Sequence, residues 1–175
     1  MRNPREQRVV LRRATLSDSP AVARVQVQSW RESFAGIVPQ AFLDEMSVEN
    51  RAQAFRTRFG ADSYRMLIAE TPAHGVIGFA DFGKARETDR PYQAELYAIY
   101  LLREFQREGV GTRLFALGVT SLVADGMKSM YVLALEASPY KSFYEKMGGR
   151  VVGRAAIDIG GVNFTELVYG WDTLS

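Results

Sequence analysis

Ala94-Glu95-Leu96-Tyr97-Ala98-Ile99-Tyr100-Leu101-Leu102 is the strongest strand signal in the chain, and the residues after it decide the architecture. The stretch is almost unbroken in apolar residues, as expected of a central strand buried on both faces. A polar segment, Arg103–Glu108, runs into Gly109-Val110-Gly111. Thr112–Ala124 then sets Leu114, Leu117, Ser121 and Leu122 at helical spacing, and Gly126 closes that helix. Met130–Leu135 is a second apolar strand. Strand, glycine bend, helix and strand make one crossover unit, which lays the two strands parallel in one sheet.

The flanking sequence supplies antiparallel partners. Tyr64–Glu70 and Val76–Phe82 flank Pro72 and Gly75, a hairpin signature, and Lys84–Pro91 has the charge of an exposed turn. Val9–Arg13 is β-branched and predicts a first strand. Ser17 or Asp18 caps a helix over 19–34, with Pro20 in its first turn and Val22, Val25, Val27, Trp30 and Phe34 along its apolar positions. Gly36 and Pro39 break it; a short helix at about 40–46 and another from the Ser47 cap to about Phe59 follow. Beyond Leu135, Pro139–Met147 predicts a short helix stopped by Gly148-Gly149, and Val151–Ala155 and Phe164–Tyr169 predict the last two strands around Gly160-Gly161. The fold expected is α/β: a mixed, mainly antiparallel sheet with helices on both faces.

Composition narrows the chemistry. At 175 residues, 47% hydrophobic and 24% charged, the chain fits one domain over 1–175, with the basic tip 1–8 expected to be flexible. No cysteine is present, which removes disulfides, thiolate nucleophiles, Cys-based zinc and iron–sulfur centres. The one histidine, His74, reads as a hairpin-turn residue and leaves neither a multi-histidine metal site nor a hydrolase triad. Net charge is +2, while Arg2, Arg5, Arg8, Arg12 and Arg13 against Glu6 give residues 1–13 a charge of +4. That balance argues for no nucleic-acid partner, and the tip is expected to be a solvated terminus. With no apolar run long enough to span a bilayer and no signal-peptide core, the expectation is a cytoplasmic protein without a membrane partner.

Two motif matches are coincidental. Gly78 to Lys84 nearly fits a nucleotide-binding loop, but Ala85 stands where the magnesium-binding hydroxyl belongs and the segment reads as strand. Asn163-Phe164-Thr165 fits a glycosylation sequon without a secretion signal to make use of it. The bend Gln106-Arg107-Glu108-Gly109-Val110-Gly111 carries more. It leaves a buried strand and opens a helix, where unpaired N–H groups and the positive end of the dipole hold phosphates. Glycine at the turn lets main-chain amides approach a ligand. The dinucleotide fingerprint is excluded, because its third glycine falls at Leu114. From the loop alone, a pyrophosphate cradle and a plain strand terminator are both open.

Several segments together resemble the GCN5-related N-acetyltransferase (GNAT) superfamily. They are Glu95–Leu101, then Gln106-x-x-Gly109-x-Gly111, then Phe143-Tyr144-Glu145-Lys146-Met147-Gly148-Gly149, in the family's order and spacing. Trp30–Pro39 is similar to the first helix and following loop of small bacterial members, and Glu166–Trp171 to their last strand. The resemblance implies a splayed central strand pair and acetyl-CoA as cosubstrate, with no metal. Ile99, Tyr100 and Leu101 would pair with the pantetheine arm, and Gln106, Arg107, Glu108, Gly109, Val110, Gly111 and Thr112 would surround the pyrophosphate.

It also implies that Tyr144 protonates the departing thiolate, a role that suits a phenol neutral at working pH. Glu95 stands at the offset where some members carry a general base; a strand-end charge paired with an Arg or Lys is the other reading. Ser138-Pro139 replaces the usual Asn-Pro, so a serine hydroxyl would cap the helix or bond the pantetheine. Trp30, Phe34 and Tyr97 would line the acceptor pocket, against the alternative of a helix face packed on the sheet. The activity implied is acetyl transfer to a primary amine, on a small molecule or a peptide, by direct attack in a ternary complex. A non-catalytic acyl-CoA-binding module is the rival reading, which would need neither Glu95 nor Tyr144. Members often form homodimers; nothing in the sequence fixes the oligomeric state.

Overall fold

The computed structural model describes residues 8–175, so most of the basic tip at 1–8 lies outside the described residues. Seven strands form one sheet: β1 (Val10–Arg13), β2 (Arg65–Thr71), β3 (Gly75–Lys84), β4 (Ala94–Leu101), β5 (Met130–Leu135), β6 (Arg150–Ile159) and β7 (Val162–Trp171). Their order is β1-β2-β3-β4-β5-β7-β6, and every neighbouring pair is antiparallel except β4 with β5. Helices α1 (Ser19–Phe34), α2 (Gln40–Glu45) and α3 (Val48–Arg58) precede β2. Helix α4 (Val110–Ala124) makes the crossover, and the one-turn α5 (Ser142–Lys146) follows β5. No described helix is long and apolar enough to cross a membrane.

The sheet is covered on both sides because β3 is apolar on both faces. Phe79 meets Phe55 of α3 edge to face, centroids 5.5 Å apart, while Phe82 packs under Gly118 of α4. Side chains alternate along a strand, so Phe79 and Asp81 share one face and Ala80 and Phe82 the other. Ser47 caps α3 as expected, its hydroxyl accepting from the Asn50 amide.

Three expectations need correction. The strand β4 is fully buried only over Ala94–Leu96; from Tyr97 to Leu101 it is half-buried, because its partner leaves it. Ladder pairing with β5 covers only Ala94, Glu95 and Leu96 opposite Met130, Tyr131 and Val132, although both strands run on. Helix α4 begins at Val110, two residues before the apolar periodicity starts, since Gly109 at φ +79° turns the chain into it. The β6–β7 hairpin is longer than its apolar cores suggest. It extends to Ile159 and Val162, with Ile157 opposite Phe164, Asp158 opposite Asn163 and Ile159 opposite Val162.

Gly118 fixes the distance from α4 to the sheet. An alanine Cβ there would stand 2.1 Å from the buried Phe82 ring. Alanine improves helix propensity by about 1 kcal/mol, but overpacking costs about 1–3 kcal/mol, and at this separation the clash wins. Gly118→Ala is expected to lower stability by about 1–2 kcal/mol, read as a lower denaturant midpoint at unchanged slope.

Asp81 is the anomalous charge of the core. It is fully buried; Arg58 and the Tyr64 hydroxyl both donate to Oδ2, at 3.1 and 3.0 Å, and Oδ1 has no partner. Burial outweighs these two donors and pushes the carboxyl up to about 6 from its ordinary 3.8. The folded chain therefore holds this proton more tightly than the unfolded chain. Its contribution favours folding at low pH and is lost as pH rises through about 6. Asp81→Asn is expected to flatten the fall in stability between about pH 4 and 7; denaturant titrations across that range with equal slopes for both proteins would contradict it.

Candidate active site

Where β4 and β5 part, a cleft of about 690 Å³ opens between them. One wall is the free edge of β4, and Ile99, Tyr100 and Leu101 all line the cleft. The other wall is β5 from Leu133 to Leu135. An extra residue in β4 marks the parting: Asp81 pairs with Ala98 and Phe82 with Leu96, which leaves Tyr97 as a bulge. The bulge reverses the side-chain alternation, so Tyr100 turns toward α1, where its hydroxyl accepts from Trp30 Nε1 at 2.9 Å.

The cleft runs out over the start of α4. Gln106, Arg107, Gly109, Gly111 and Thr112 line it there. Gln106 ties the loop to β4 by donating its side-chain amide to the Leu101 carbonyl at 3.0 Å. Arg107 is the one described non-glycine residue with positive φ, at 65°, and Gly109 follows at 79°. Left-handed residues in this spacing bend the chain sharply where it lines the cleft ahead of α4. The first hydrogen bond closing α4 is Arg113 to Gly109 at 3.1 Å, so the amides ahead of Arg113 stay available. Glu108 is exposed and Val110 is buried in the core; neither side chain lines the cleft.

Helix α5 delivers Tyr144 to the wall. Its short length is offset by packing on both sides: Phe143 meets Phe115 of α4 edge to face, and Trp171 donates to the Met147 carbonyl at 2.9 Å. The Tyr144 ring lies between Phe143 and Tyr169, with centroids 5.6 and 5.4 Å away. Burial, then the neighbouring Tyr100 and Tyr169 hydroxyls, hold the phenol well above its ordinary value. It is therefore protonated throughout the neutral range and able to give a proton. Ser138 lines the cleft, but it caps a turn, not the helix. Its hydroxyl accepts from the Tyr140 amide at 3.2 Å, and α5 starts only at Ser142.

Two expected site residues lie elsewhere. Glu95 is 1% exposed and does not line the cleft. Arg86 grips it through Nη2 at 2.5 Å, Nε at 3.1 Å and the main-chain amide at 3.2 Å, and the Tyr131 hydroxyl donates at 2.8 Å. Three of these donors share Oε2 and one takes Oε1, so the carboxylate is held in a buried ion pair away from the cleft and pins the β3–β4 connection at its root. Tyr97 likewise does not line the cleft. Its hydroxyl donates to the Lys84 carbonyl at 2.6 Å and its ring lies beneath Arg86 and beside Tyr64. Trp30 and Phe34 line the cleft and also pack on α2.

Glu166 on β7 lines the cleft and went unnoticed in the sequence. The signal was a lone carboxylate inside the apolar closing strand, on the face shared by Phe164 and Val168. Ile157 and Ile159 were missed because β6 was expected to end at Ala155.

The Acetyltransferase (GNAT) family model matches residues 27–162. The uncharacterized N-acetyltransferase YuaI of Bacillus subtilis (strain 168) is 35% identical over 95% of both chains. Among solved structures, the PaiA N-acetyltransferase of Thermoplasma acidophilum, in complex with coenzyme A, superimposes with a TM-score of 0.73 at 19% identity. It covers 94% of this chain and 98% of its own. YncA of Salmonella typhimurium, solved with acetyl-CoA, gives 0.70 at 16% identity over 94% of each chain. At such identities the likeness is one of fold. The family model and the B. subtilis relative go further: this chain belongs to the acetyltransferase (GNAT) family.

Proposed function

We propose that the protein transfers the acetyl group of acetyl-CoA to a primary amine by direct attack, with both substrates bound together. The observation that carries this reading is the continuity of the cleft. The free backbone edge of β4, the amides opening α4 and the Tyr144 phenol all face one space. The dimensions suit coenzyme A: an extended arm matches a strand edge, and a diphosphate matches converging amides at a helix start.

Acetyl-CoA supplies an activated acyl thioester. The main chain at 107–112 would hold its diphosphate, and Ile99–Leu101 its pantetheine arm. An N–H on the parted edge of β4 would polarise the carbonyl oxygen as charge develops there. Tyr144 would give its proton to the departing sulfur. Glu95 has no part in the proton transfers in this reading, because Arg86 and Tyr131 occupy its oxygens.

The test is thiol release from acetyl-CoA over a panel of primary amines. Release that depends on the amine supports the transferase; tight acetyl-CoA binding with no release in any case would favour a binding module instead. Tyr144→Phe is expected to lower kcat by about 10²-fold or more with acetyl-CoA affinity nearly intact. Unchanged kcat would remove the acid role. Gly109→Val would force a β-branched residue to φ +79°, at a cost of about 1–3 kcal/mol. The resulting distortion of the amide turn is expected to weaken acetyl-CoA binding by about tenfold or more, as measured by calorimetry.

A further inference from the structure

The cleft has two ends of opposite character. Toward the phosphate loop it carries the cations Arg107 and Lys146. The other end is lined by Trp30, Phe34, Leu135, Ile157 and Ile159, which pack together in one hydrophobic cluster separate from the main core. Glu166 is the one charged side chain at that end among the described residues, and it pairs across the ladder with Leu135 of the same wall. We propose that this end seats the acceptor, a primary amine with an apolar body and no carboxylate. Glu166 holds its ammonium group and takes the first proton from it.

Glu166 is half-buried and has no hydrogen-bond or ion-pair partner among the described residues. The nearby cations are already committed, Arg86 to Glu95 and Arg90 to Glu87 at 2.5 Å. A carboxylate set in an apolar wall without a partner is costly unless a cation joins it. Burial first, then Glu87, raise its proton affinity above the ordinary carboxylate range, against the pull of Arg86, while Glu95 adds to the rise. A base moved in that direction is better matched to accepting a proton near neutrality. The same wall selects against other amines. An amino acid would bring its own carboxylate up to Glu166 in a poorly solvated space, and a polyamine would bury further ammonium groups against hydrocarbon.

This inference rests on the transferase reading and names the acceptor for that same cleft. The ammonium gives its first proton to Glu166. The freed lone pair then forms the C–N bond at the thioester carbonyl as the C–S bond breaks. The sulfur gains a proton from Tyr144, the nitrogen's second proton restores the Tyr144 phenol, and Glu166 passes its proton to solvent, so one proton is released for each acetyl group moved.

Phenethylamine is the probe, with phenylalanine as its carboxylated counterpart and spermidine as a polycation. Calorimetry should show phenethylamine binding to the protein–CoA complex, and Glu166→Gln should weaken that binding by about tenfold or more. In turnover, kcat/KM for phenethylamine should exceed that for phenylalanine by about 10²-fold, and Glu166→Gln should lower it by about 10²-fold or more while acetyl-CoA affinity is unchanged. Glu166→Asp, which keeps the charge but shortens its reach, should recover binding better than kcat. Thermal melts of both variants establish that they fold. Binding sensitive to Glu166 without thiol release would uphold the acceptor site and sink the transferase reading. Thiol release with phenylalanine or spermidine in preference to phenethylamine, or a Glu166→Gln protein with full binding and kcat/KM, would overturn the proposal and leave the transferase reading standing.

Discussion

The parting of β4 from β5 after three paired residues is the constraint on which the site depends. Two parallel strands in mid-sheet would ordinarily satisfy each other's main-chain groups along their full length. Here the ladder stops at Leu96 and Val132, and the remaining polar groups on the facing edges must find partners elsewhere. The fold stabilises this arrangement from both sides. On one edge β3 stays paired with β4 throughout, around the Tyr97 bulge, and on the other β7 stays paired with β5. At the root, the buried Glu95 is held by Arg86 and Tyr131, which fixes the point of divergence with charge-assisted hydrogen bonds. Removing either partner would leave a buried carboxylate under-satisfied, so this cluster is costly to alter although it does not line the cleft.

The walls then divide the labour by chain segment. The main-chain surface comes from β4 and the opening of α4, consecutive in sequence and joined by the Gln106–Leu101 hydrogen bond. The apolar end comes mainly from α1 and the β6–β7 hairpin, far from that unit along the chain. Tyr144 stands between them on a one-turn helix held by Phe115 and Trp171. The region contributed by main chain tolerates side-chain change wherever backbone geometry survives, whereas the apolar end is written in side chains.

Much of this was legible in the residues. The crossover unit, the hairpin before it and the position of α1 follow from apolar spacing and glycine placement, and the Gln106–Gly111 bend lines the cleft at a helix start. What could not be read were effects of long-range pairing. Half-burial of β4 beyond Leu96 depends on where β5 goes, which the apolar run of β4 does not encode. Glu95 looked like a candidate base by its offset from Gly109; the arginine that occupies it lies nine residues earlier in a turn whose path depends on the β3–β4 register. Glu166 escaped notice because a single carboxylate in a strand is ordinary until the sheet shows which cavity that face borders. The length of the β6–β7 hairpin escaped as well, because only the pairing shows how far the strands run toward the Gly160-Gly161 turn, with Ile159 opposite Val162 at its end.

Arg107 carries one more consequence. A bulky residue at φ 65° is disfavoured in a free chain and persists because Gln106 and the start of α4 hold the loop on either side. The concavity is thus shaped while the polypeptide folds, not by its guest. In the proposed reading, a diphosphate would meet a turn already formed, which lowers the conformational entropy lost on binding.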